Sequence, residues 1–197
     1  MTILIDLQTT TEHIIQACLN GDKTGQYKLY KLLAPKLMAV CLRYTKSKAE
    51  AEDCLQDAFI KIFNNLKNFN GSGPVEAWAR RITVNTLISY LNKHKAMKQS
   101  YDIEDHKDYI NSNEDLSDRL SYNELIKIIN LLPDSKRTVF NLFVIEGFSH
   151  REIAEMLEIT ESTSRAQLSK AKDMLIEIHK KVNYINEDKF ADRGVKN

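Results

Sequence analysis

The chain has 197 residues, of which 43% are hydrophobic and 28% charged, an ordinary composition for one or two soluble globular domains. It lacks a basic, apolar leader and any apolar run of membrane-spanning length, so we expect a cytoplasmic protein without membrane insertion. The net charge of +1 hides a basic block at residues 77–98 and an acidic block at residues 101–118, which predicts a polyanionic partner for one surface.

Helical periodicity dominates the first part of the chain, and no run alternates in the manner of a strand, so we predict an all-α fold. A first helix is expected to start after a cap at Thr10 or Thr11 and to end at Gly21. A second and a third helix should follow within residues 23–45, separated at Pro35.

A capping box of the form S-x-x-E at Ser47 predicts a helix that reaches about Lys67. Its apolar stripe consists of Leu55, Ala58, Phe59, Ile62, Phe63 and Leu66. Turn residues predict a loop at residues 69–74. The next helix should run from Val75 to about Met97, with an inner side that begins with Val75, Trp78 and Ile82. We expect Trp78 to be a core residue rather than a stacking platform.

The second half of the chain begins with an acidic segment of linker composition, residues 99–117. Helical periodicity resumes at about Leu120 and stops at Pro133, and a further helix should run from Asp134 to Ile145. The sequence therefore predicts two small helical domains, at residues 10–97 and 119–182. A linker joins them at residues 98–118, and a polar tail without an assigned role follows at residues 183–197.

The most informative local pattern lies after Gly147. Ser149-His150-Arg151-Glu152 has the form of a second capping box, and Ile153, Ala154 and Leu157 give the helix that follows one apolar face. Ala154 is small where two crossing helices must approach closely. Ile159 should fill a short turn, and Thr160 can cap the next helix.

That next helix has separate apolar and polar faces. Its inward positions are spaced by 4, 3 and 4 residues: Ser164, Leu168, Ala171 and Leu175. Its other faces carry side chains that can reach phosphates or base edges: Ser162, Arg165, Gln167, Ser169, Lys170 and Lys172. This division predicts a DNA-binding helix-turn-helix from about Ser149 to about His179. The short turn and the two caps disfavour the alternative, a helical hairpin with a solvated basic face.

The chain shows no sequence motif of an enzyme, such as a P-loop, a G-x-S-x-G turn or an H-E-x-x-H helix. The five histidines are scattered, and the cysteines Cys18, Cys41 and Cys54 have no metal-ligand spacing. We expect the cysteines at buried helix positions, and we expect neither catalysis nor a cofactor or metal.

Three further motifs carry a family resemblance: Ala51-Glu52-Asp53-x-x-Gln56-Asp57-x-Phe59, Ala77-Trp78-Ala79-Arg80-Arg81-Ile82-x-Val84-Asn85, and Leu132-Pro133 with Arg137-x-Val139-Phe140 and Glu146-Gly147. Their order and spacing, together with the helix-turn-helix, resemble the bacterial extracytoplasmic-function (ECF) sigma factors over residues 14–178. The resemblance implies a dissociable subunit that binds core RNA polymerase, directs it to promoters and helps to open the −10 region.

The resemblance also implies roles for individual residues. The first domain would bind the polymerase clamp through Asp53, Gln56 and Asp57. It would bind and open the −10 element through Asn70, Gly71, Arg80, Arg81, Asn85, Lys93 and Lys95. Asn85 would offer its amide to an extruded base, and the loop before it would help to form the pocket. The second domain would contact the flap and bind the −35 element through the six recognition-helix residues.

Other interpretations stay open at this point. A stand-alone helix-turn-helix regulator with an N-terminal sensing or dimerisation domain is the main alternative, and a helical adaptor that binds no DNA is a third. The acidic helix, loop and basic helix, in that order, favour the sigma factor. The acidic linker could thread through the polymerase channel or serve as a plain tether. An anti-sigma partner is common in the family, but the sequence carries no sign of one.

The recognition helix departs from the family pattern. The family usually has Gly-Thr-Val where this chain has Ser162-Thr163-Ser164, and a basic residue where it has Gln167. We expect the Ser164 hydroxyl to bond to nearby backbone. The amide of Gln167 is better suited to adenine than to guanine or phosphate. The target sequence therefore cannot be borrowed from a relative.

Overall fold

The computed structural model describes the backbone of residues 2–99 and 122–193 and the side chains of residues 11–94 and 125–180. Every element within these ranges is helical, which confirms the all-α prediction. The chain divides into two compact units, Met1–Met97 and Lys98–Asn197. The predicted acidic linker lies outside the described residues from position 100 onwards. None of the helices in the described ranges combines the length and hydrophobicity that a membrane span requires.

The N-terminal unit contains four helices: α1 (Thr2–Leu19), α2 (Lys23–Tyr44), α3 (Lys48–Asn65) and α4 (Val75–Gln99). A single 3₁₀ turn, Leu66–Asn68, extends α3. Helix α2 packs against both α1 and α3. The core side chains of α2 are almost fully buried, and they include Leu29, Leu33, Leu37, Val40 and Cys41. Helix α4 contributes Val75, Ala79, Val84 and Leu87 to the same core.

Two of the predicted boundaries in this unit are wrong. Helix α1 begins at Thr2 instead of after Thr10 or Thr11, because no Gly or Pro precedes these threonines to stop the helix. Helix α2 continues through Pro35, which the sequence suggested as a break. An interior proline costs about 3 kcal/mol, whereas each fully buried leucine contributes about 1.5–3 kcal/mol. The leucine stripe of α2 therefore outweighs one proline on its exposed side.

The capping signal before α3 is confirmed, with a shift in one of its two bonds. The Glu50 amide donates to Ser47 Oγ at 3.2 Å, as a capping box requires. The Glu50 carboxylate, however, accepts from the Lys46 amide at 2.9 Å. The predicted apolar stripe of α3 is buried except for Phe63, which is half-buried.

The C-terminal unit contains α5 (Tyr122–Asn130), α6 (Asp134–Phe140), α7 (His150–Leu157) and α8 (Glu161–Arg193). One π-helical turn, Asn141–Ile145, continues α6, as expected for a helix that ends before Gly147. Helix α8 packs against α6 and α7. It runs through Arg193, so most of the stretch assigned to a separate polar tail from residue 183 continues the helix.

A buried arginine holds the start of α6 in place. The side chain of Arg137 is 2% exposed and pairs with Asp134 at 2.9 Å. Its guanidinium also donates to the Asn130 carbonyl at 3.4 Å, at the end of α5. Because an arginine keeps its charge when buried, removing the Asp134 carboxylate would cost this cation its ion pair, whereas the Asn130 carbonyl supplies a hydrogen bond and no charge.

The three cysteines occupy buried helix positions, as predicted. The pKa of the Cys41 thiol is raised to about 12, mainly by burial and in part by the nearby Cys54. Burial, together with the carboxylate of Asp57, raises the pKa of Cys54 to about 11. Both thiols therefore stay protonated at neutral pH and act as small apolar core groups.

Candidate nucleic-acid interface

Helices α7 and α8 form the predicted helix-turn-helix. The Glu152 amide donates to Ser149 Oγ, and the Ser149 amide donates to the Glu152 carboxylate at 2.8 Å, so the capping box is complete. Glu158 adopts a left-handed conformation, with φ 54°, to end α7. Thr160 Oγ1 accepts from the Thr163 amide at 3.1 Å and caps α8. Both caps confirm the sequence prediction.

The inner face of α8 is also as predicted, with one correction. Ser164 and Ala171 are fully buried and Leu168 is 6% exposed. The Ser164 hydroxyl does not bond to local backbone: its oxygen lies 2.9 Å from Nδ1 of His150, at the start of α7. The prediction failed because the packing of α7 on α8 brings the polar ring of His150 against Ser164, a contact fourteen residues away that local sequence does not show.

The outer face of α8 carries five of the six predicted DNA-contacting residues in exposed positions: Ser162, Arg165, Ser169, Lys170 and Lys172. The Arg165 guanidinium pairs with Glu161 at 2.7 Å, which holds it against the first turn of the helix. Gln167 differs from the others because it is half-buried and its Oε1 atom is shielded from solvent, without a hydrogen-bond partner among the described residues. The structure therefore does not group Gln167 with the exposed set.

On α4, the predicted −10 residues fall on different sides of the helix. Arg81, Asn85 and Lys93 are exposed. Arg80 is half-buried, and it lies on the same side as the buried Val84, four residues later. The side chain of Lys95 lies outside the described residues. Arg81 and Asn85 thus lie one turn apart on an exposed side of α4, Lys93 is exposed two turns beyond Asn85, and Arg80 is turned towards the core.

A cavity of about 350 Å³ lies beside Asn85, between the ends of α3 and α4. Its lining combines one aromatic ring with several amides and hydroxyls: Lys61, Asn65, Asn68, Trp78, Ile82, Asn85, Thr86 and Ser89. Asn68 donates to the Asn65 side chain at 3.4 Å, and Asn65 donates to the Lys61 carbonyl at 2.8 Å. These bonds fix a polar wall opposite α4.

The loop before α4 borders this region without lining the cavity at its predicted positions. Asn70 and Gly71 are exposed. The Asn70 side chain accepts from the Ser72 amide at 3.0 Å, which forms a local turn. Gly71 has φ 72°, a conformation that residues with a Cβ avoid. The residue nearest to this loop that lines the cavity is Asn68, at the end of the 3₁₀ turn.

The structure corrects the expected role of Trp78 and adds residues that sequence reasoning missed. Trp78 and Ile82 are half-buried and line the cavity, although Val75 is a core residue as predicted. The Trp78 ring is held by Phe69, with ring centroids 5.4 Å apart. Lys61 and Ser89 were not singled out from the sequence. The signal for Ser89 was the helical spacing that places it with Trp78, Ile82 and Asn85 on one side of α4, whereas no local pattern marked Lys61 on α3.

A second exposed surface lies on α3. Asp53, Gln56 and Asp57 are all exposed on the side opposite the core, as the apolar stripe predicted. Ile60, which continues this side, is 59% exposed although it is a large apolar residue. The pKa of the nearby Tyr90 is raised to about 12, mainly by burial and in part by the negative charges of Glu50 and Asp53. This surface is therefore negative, with an apolar end.

Comparison with known proteins matches each of the two units to a family model. A family model described as Sigma-70 region 2 matches residues 29–97, and one described as Sigma-70, region 4 matches residues 122–175. The ECF RNA polymerase sigma-E factor of Haemophilus influenzae is 28% identical over 180 residues, which cover 85% of this chain and 94% of that protein. The RNA polymerase sigma-H factor of Pseudomonas aeruginosa is 24% identical over 179 residues, covering 85% and 93%.

The fold has a counterpart among solved structures. The sigma factor RpoE from Bartonella quintana, solved in complex with the anti-sigma factor NepR, is 24% identical with a TM-score of 0.50. The match covers 78% of this chain and 96% of that one. The two matched family regions together cover more than half of the chain, in the order in which the structure presents them. The chain therefore belongs to the sigma-70 family, as an ECF-group RNA polymerase sigma factor that directs the enzyme to promoters.

Proposed function

We propose that the two units divide promoter recognition between them. The N-terminal unit docks on the polymerase clamp through α3 and opens the −10 element with α4. The C-terminal unit contacts the flap and binds the −35 element with α8. The observation that carries this proposal is the cavity beside Asn85 together with the exposed Arg81 and Lys93 on the same helix: a pocket for one base needs phosphate-binding residues beside it, whereas a pocket for a small sensed molecule does not.

The cavity suits a single extruded base. Its volume of about 350 Å³ is at the lower end of the range for small-molecule sites. Trp78 supplies a ring on which a base can stack, and Asn85 supplies an amide that can both donate and accept on a base edge. The side-chain amide of Asn85 makes no hydrogen bond to the described residues, so it is available to a ligand.

The energies involved permit opening without ATP. Disrupting one stacked DNA step costs about 1.4 kcal/mol on average, and stacking one base on an aromatic side chain recovers about 1–3 kcal/mol. Arg81 and Lys93 lie on the exposed part of the same helix, where they can neutralise phosphates and release counterions. One captured base together with these phosphate contacts offsets the loss of a step or two at the edge of the bubble.

The exposed side of α3 is the surface we propose for the clamp. Asp53 and Asp57 supply charge that can steer docking on a basic partner, and Ile60 supplies an apolar contact beside them. An anti-sigma factor, the second protein partner we propose, would inhibit by covering this surface. Because the polymerase acts in the cytoplasm, this protein would act there too.

Run-off transcription tests the proposal directly. Core polymerase is incubated with promoter DNA, with and without this protein, and promoter-specific transcripts are measured. We expect specific transcripts only when the protein is present, and co-purification of the protein with core polymerase. Binding to DNA without either result would favour the stand-alone helix-turn-helix regulator instead.

A further inference from the structure

Three side chains join the recognition helix to the elements that carry it. Nδ1 of His150 lies 2.9 Å from Oγ of Ser164. The His150 ring also stacks on Phe143, with centroids 4.4 Å apart and an interplanar angle of 22°. Phe143 belongs to the π-helical turn after α6, His150 is the first residue of α7, and Ser164 lies in the first turn of α8. The cluster therefore connects three successive elements.

The hydrogen bond to His150 satisfies the buried hydroxyl of Ser164. Ser164 is fully buried, and a buried hydroxyl without a partner is costly. The Thr160 carbonyl, one turn earlier, accepts from the Ser164 amide at 3.0 Å, and the hydroxyl pairs with the His150 ring. His150 is held in turn by the complete capping box around Ser149 and by the stack on Phe143. A rigid donor–acceptor pair is thus set between α7 and the N-terminal turn of α8.

We propose that His150 and Ser164 are positioning residues for −35 recognition: their hydrogen bond, supported by Phe143, sets the angle at which α8 enters the major groove. The inference rests on the proposed role of α8. Arg165 follows Ser164 directly, so a rotation of α8 about Ser164 would displace the first exposed guanidinium of the recognition surface. The two residues touch no base themselves and act on DNA through the orientation of the helix.

A positioning role predicts a loss of sequence discrimination, whereas a purely structural role predicts that α8 detaches and all DNA binding falls. Leu168 and Ala171 still seat α8 when the bond is lost, so the helix should remain attached. Phosphate contacts tolerate a small rotation, because they depend on charge and not on the base sequence. Base-edge contacts do not tolerate such a rotation, because their donors and acceptors must align with those of the base. Loss of the bond should therefore reduce discrimination between −35 sequences more than total DNA binding.

The test uses the full-length chain bound to core polymerase. A promoter library randomised over the −35 element is selected with the wild-type holoenzyme, and the selected and scrambled elements then serve as probes. The discrimination ratio is the affinity for the selected element divided by that for the scrambled one. We expect Ser164→Ala and His150→Phe each to lower this ratio about three- to tenfold, and the double variant to lower it no further.

Two further variants control the experiment. His150→Asn places an amide near the position of Nδ1, so it should retain more of the ratio than His150→Phe. Ser135→Ala removes an exposed serine from α6 and should leave the ratio unchanged. Full additivity of the two single variants, or equal losses on both probes, would overturn the inference. A wild-type holoenzyme that does not discriminate would overturn the proposed function as well, whereas discrimination retained by all variants would overturn this inference alone.

Discussion

At the scale of single residues, burial and neighbours decide which side chains are available to a ligand. Asn85 and Arg80 stand five positions apart on the same basic helix, yet one is exposed beside a cavity and the other is half-buried. Residue type alone does not show which of the two side chains is available to a ligand. Trp78 shows the same effect: an apolar stripe predicts a core residue, but the end of the stripe faces a cavity that only the packed structure contains.

Asn85→Ala should impair promoter opening more than formation of the closed complex. The substitution removes the amide that we assign to the extruded base and leaves Arg81 and Lys93 to hold the phosphates. We expect opening, followed by the fluorescence of a base analogue in the −10 element, to fall about tenfold, since one base contact contributes about 1–3 kcal/mol. Closed-complex affinity, from gel shifts at low temperature, should change less than about twofold.

A matched control exists on the same helix. Asn92 is exposed and lies outside the cavity lining. Asn92→Ala therefore tests for a general loss of α4 function. Equal losses of opening and closed-complex binding in Asn85→Ala would contradict the assigned role.

The C-terminal unit should lose stability in mild acid through His150. Burial lowers the pKa of His150, the cations Arg165 and Lys172 lower it further, and Glu161 opposes them in part. The unfolded chain therefore binds this proton more readily than the folded chain. The stabilisation is fully present above the ordinary pKa of 6.5 and is lost as the pH falls through the lowered value.

Thermal unfolding of the full-length chain measures this loss. Between about pH 7.5 and about pH 5 the wild-type protein should lose more of its melting temperature than His150→Phe, which keeps a ring on Phe143 but cannot be protonated. Ser135→Ala changes an exposed residue of α6 that carries no titratable group, so it should retain the wild-type pH dependence. Identical pH dependence in wild type and His150→Phe would show that His150 does not contribute.

At the scale of secondary structure, the sequence predicts what depends on local contacts. Capping hydroxyls at Ser149 and Thr160, the inward spacing of α8 and the stripe of α3 are all found as expected. These features depend on residues three or four positions apart. The failures involve long-range effects: packing carries α2 through Pro35, and the partner of Ser164 lies fourteen residues away. The cavity was missed for the same reason.

Gly25→Ala should destabilise the N-terminal unit, although alanine is the better helix former. A Cβ at Gly25 would lie 2.6 Å from the Cβ of Ala17 and 3.0 Å from the Cys18 amide nitrogen, so α1 and α2 would have to separate. Such overpacking costs about 1–3 kcal/mol, more than the roughly 1 kcal/mol that helix propensity returns. We expect a lower melting temperature and a lower denaturation midpoint.

Gly73→Ala is the matched comparison for stability. No atom lies within 4 Å of a Cβ built at Gly73, so this variant should melt like the wild-type protein. A Gly25→Ala protein as stable as Gly73→Ala would show that the two helices can move apart at little cost.

At the scale of the whole molecule, the near-neutral total charge conceals surfaces of opposite sign. The exposed side of α3 is acidic, whereas residues 77–98 contain five Lys or Arg and no acid, and Arg81 and Lys93 are the basic residues of this stretch that the structure describes as exposed. One surface suits a basic protein partner, and the other suits DNA. A sigma factor needs both at once, because it must hold polymerase and promoter together without either partner occupying the other's site.

The double substitution Asp53→Asn with Asp57→Asn should weaken binding to core polymerase and leave the DNA-binding surfaces intact. Asparagine keeps the shape of each side chain and removes its charge, so the effect measures electrostatic attraction. We expect a slower association rate and an affinity about three- to tenfold lower at low salt. The difference should shrink as salt rises, since the screening length falls to about 8 Å at 0.15 M.

Glu52→Gln is the matched control, because Glu52 pairs with Lys48 within α3 at 3.4 Å. Fluorescence anisotropy of labelled protein titrated with core polymerase gives both rate and affinity. A loss that does not depend on salt would indicate damage to packing around Ile60 rather than lost charge, and it would exclude the steering role.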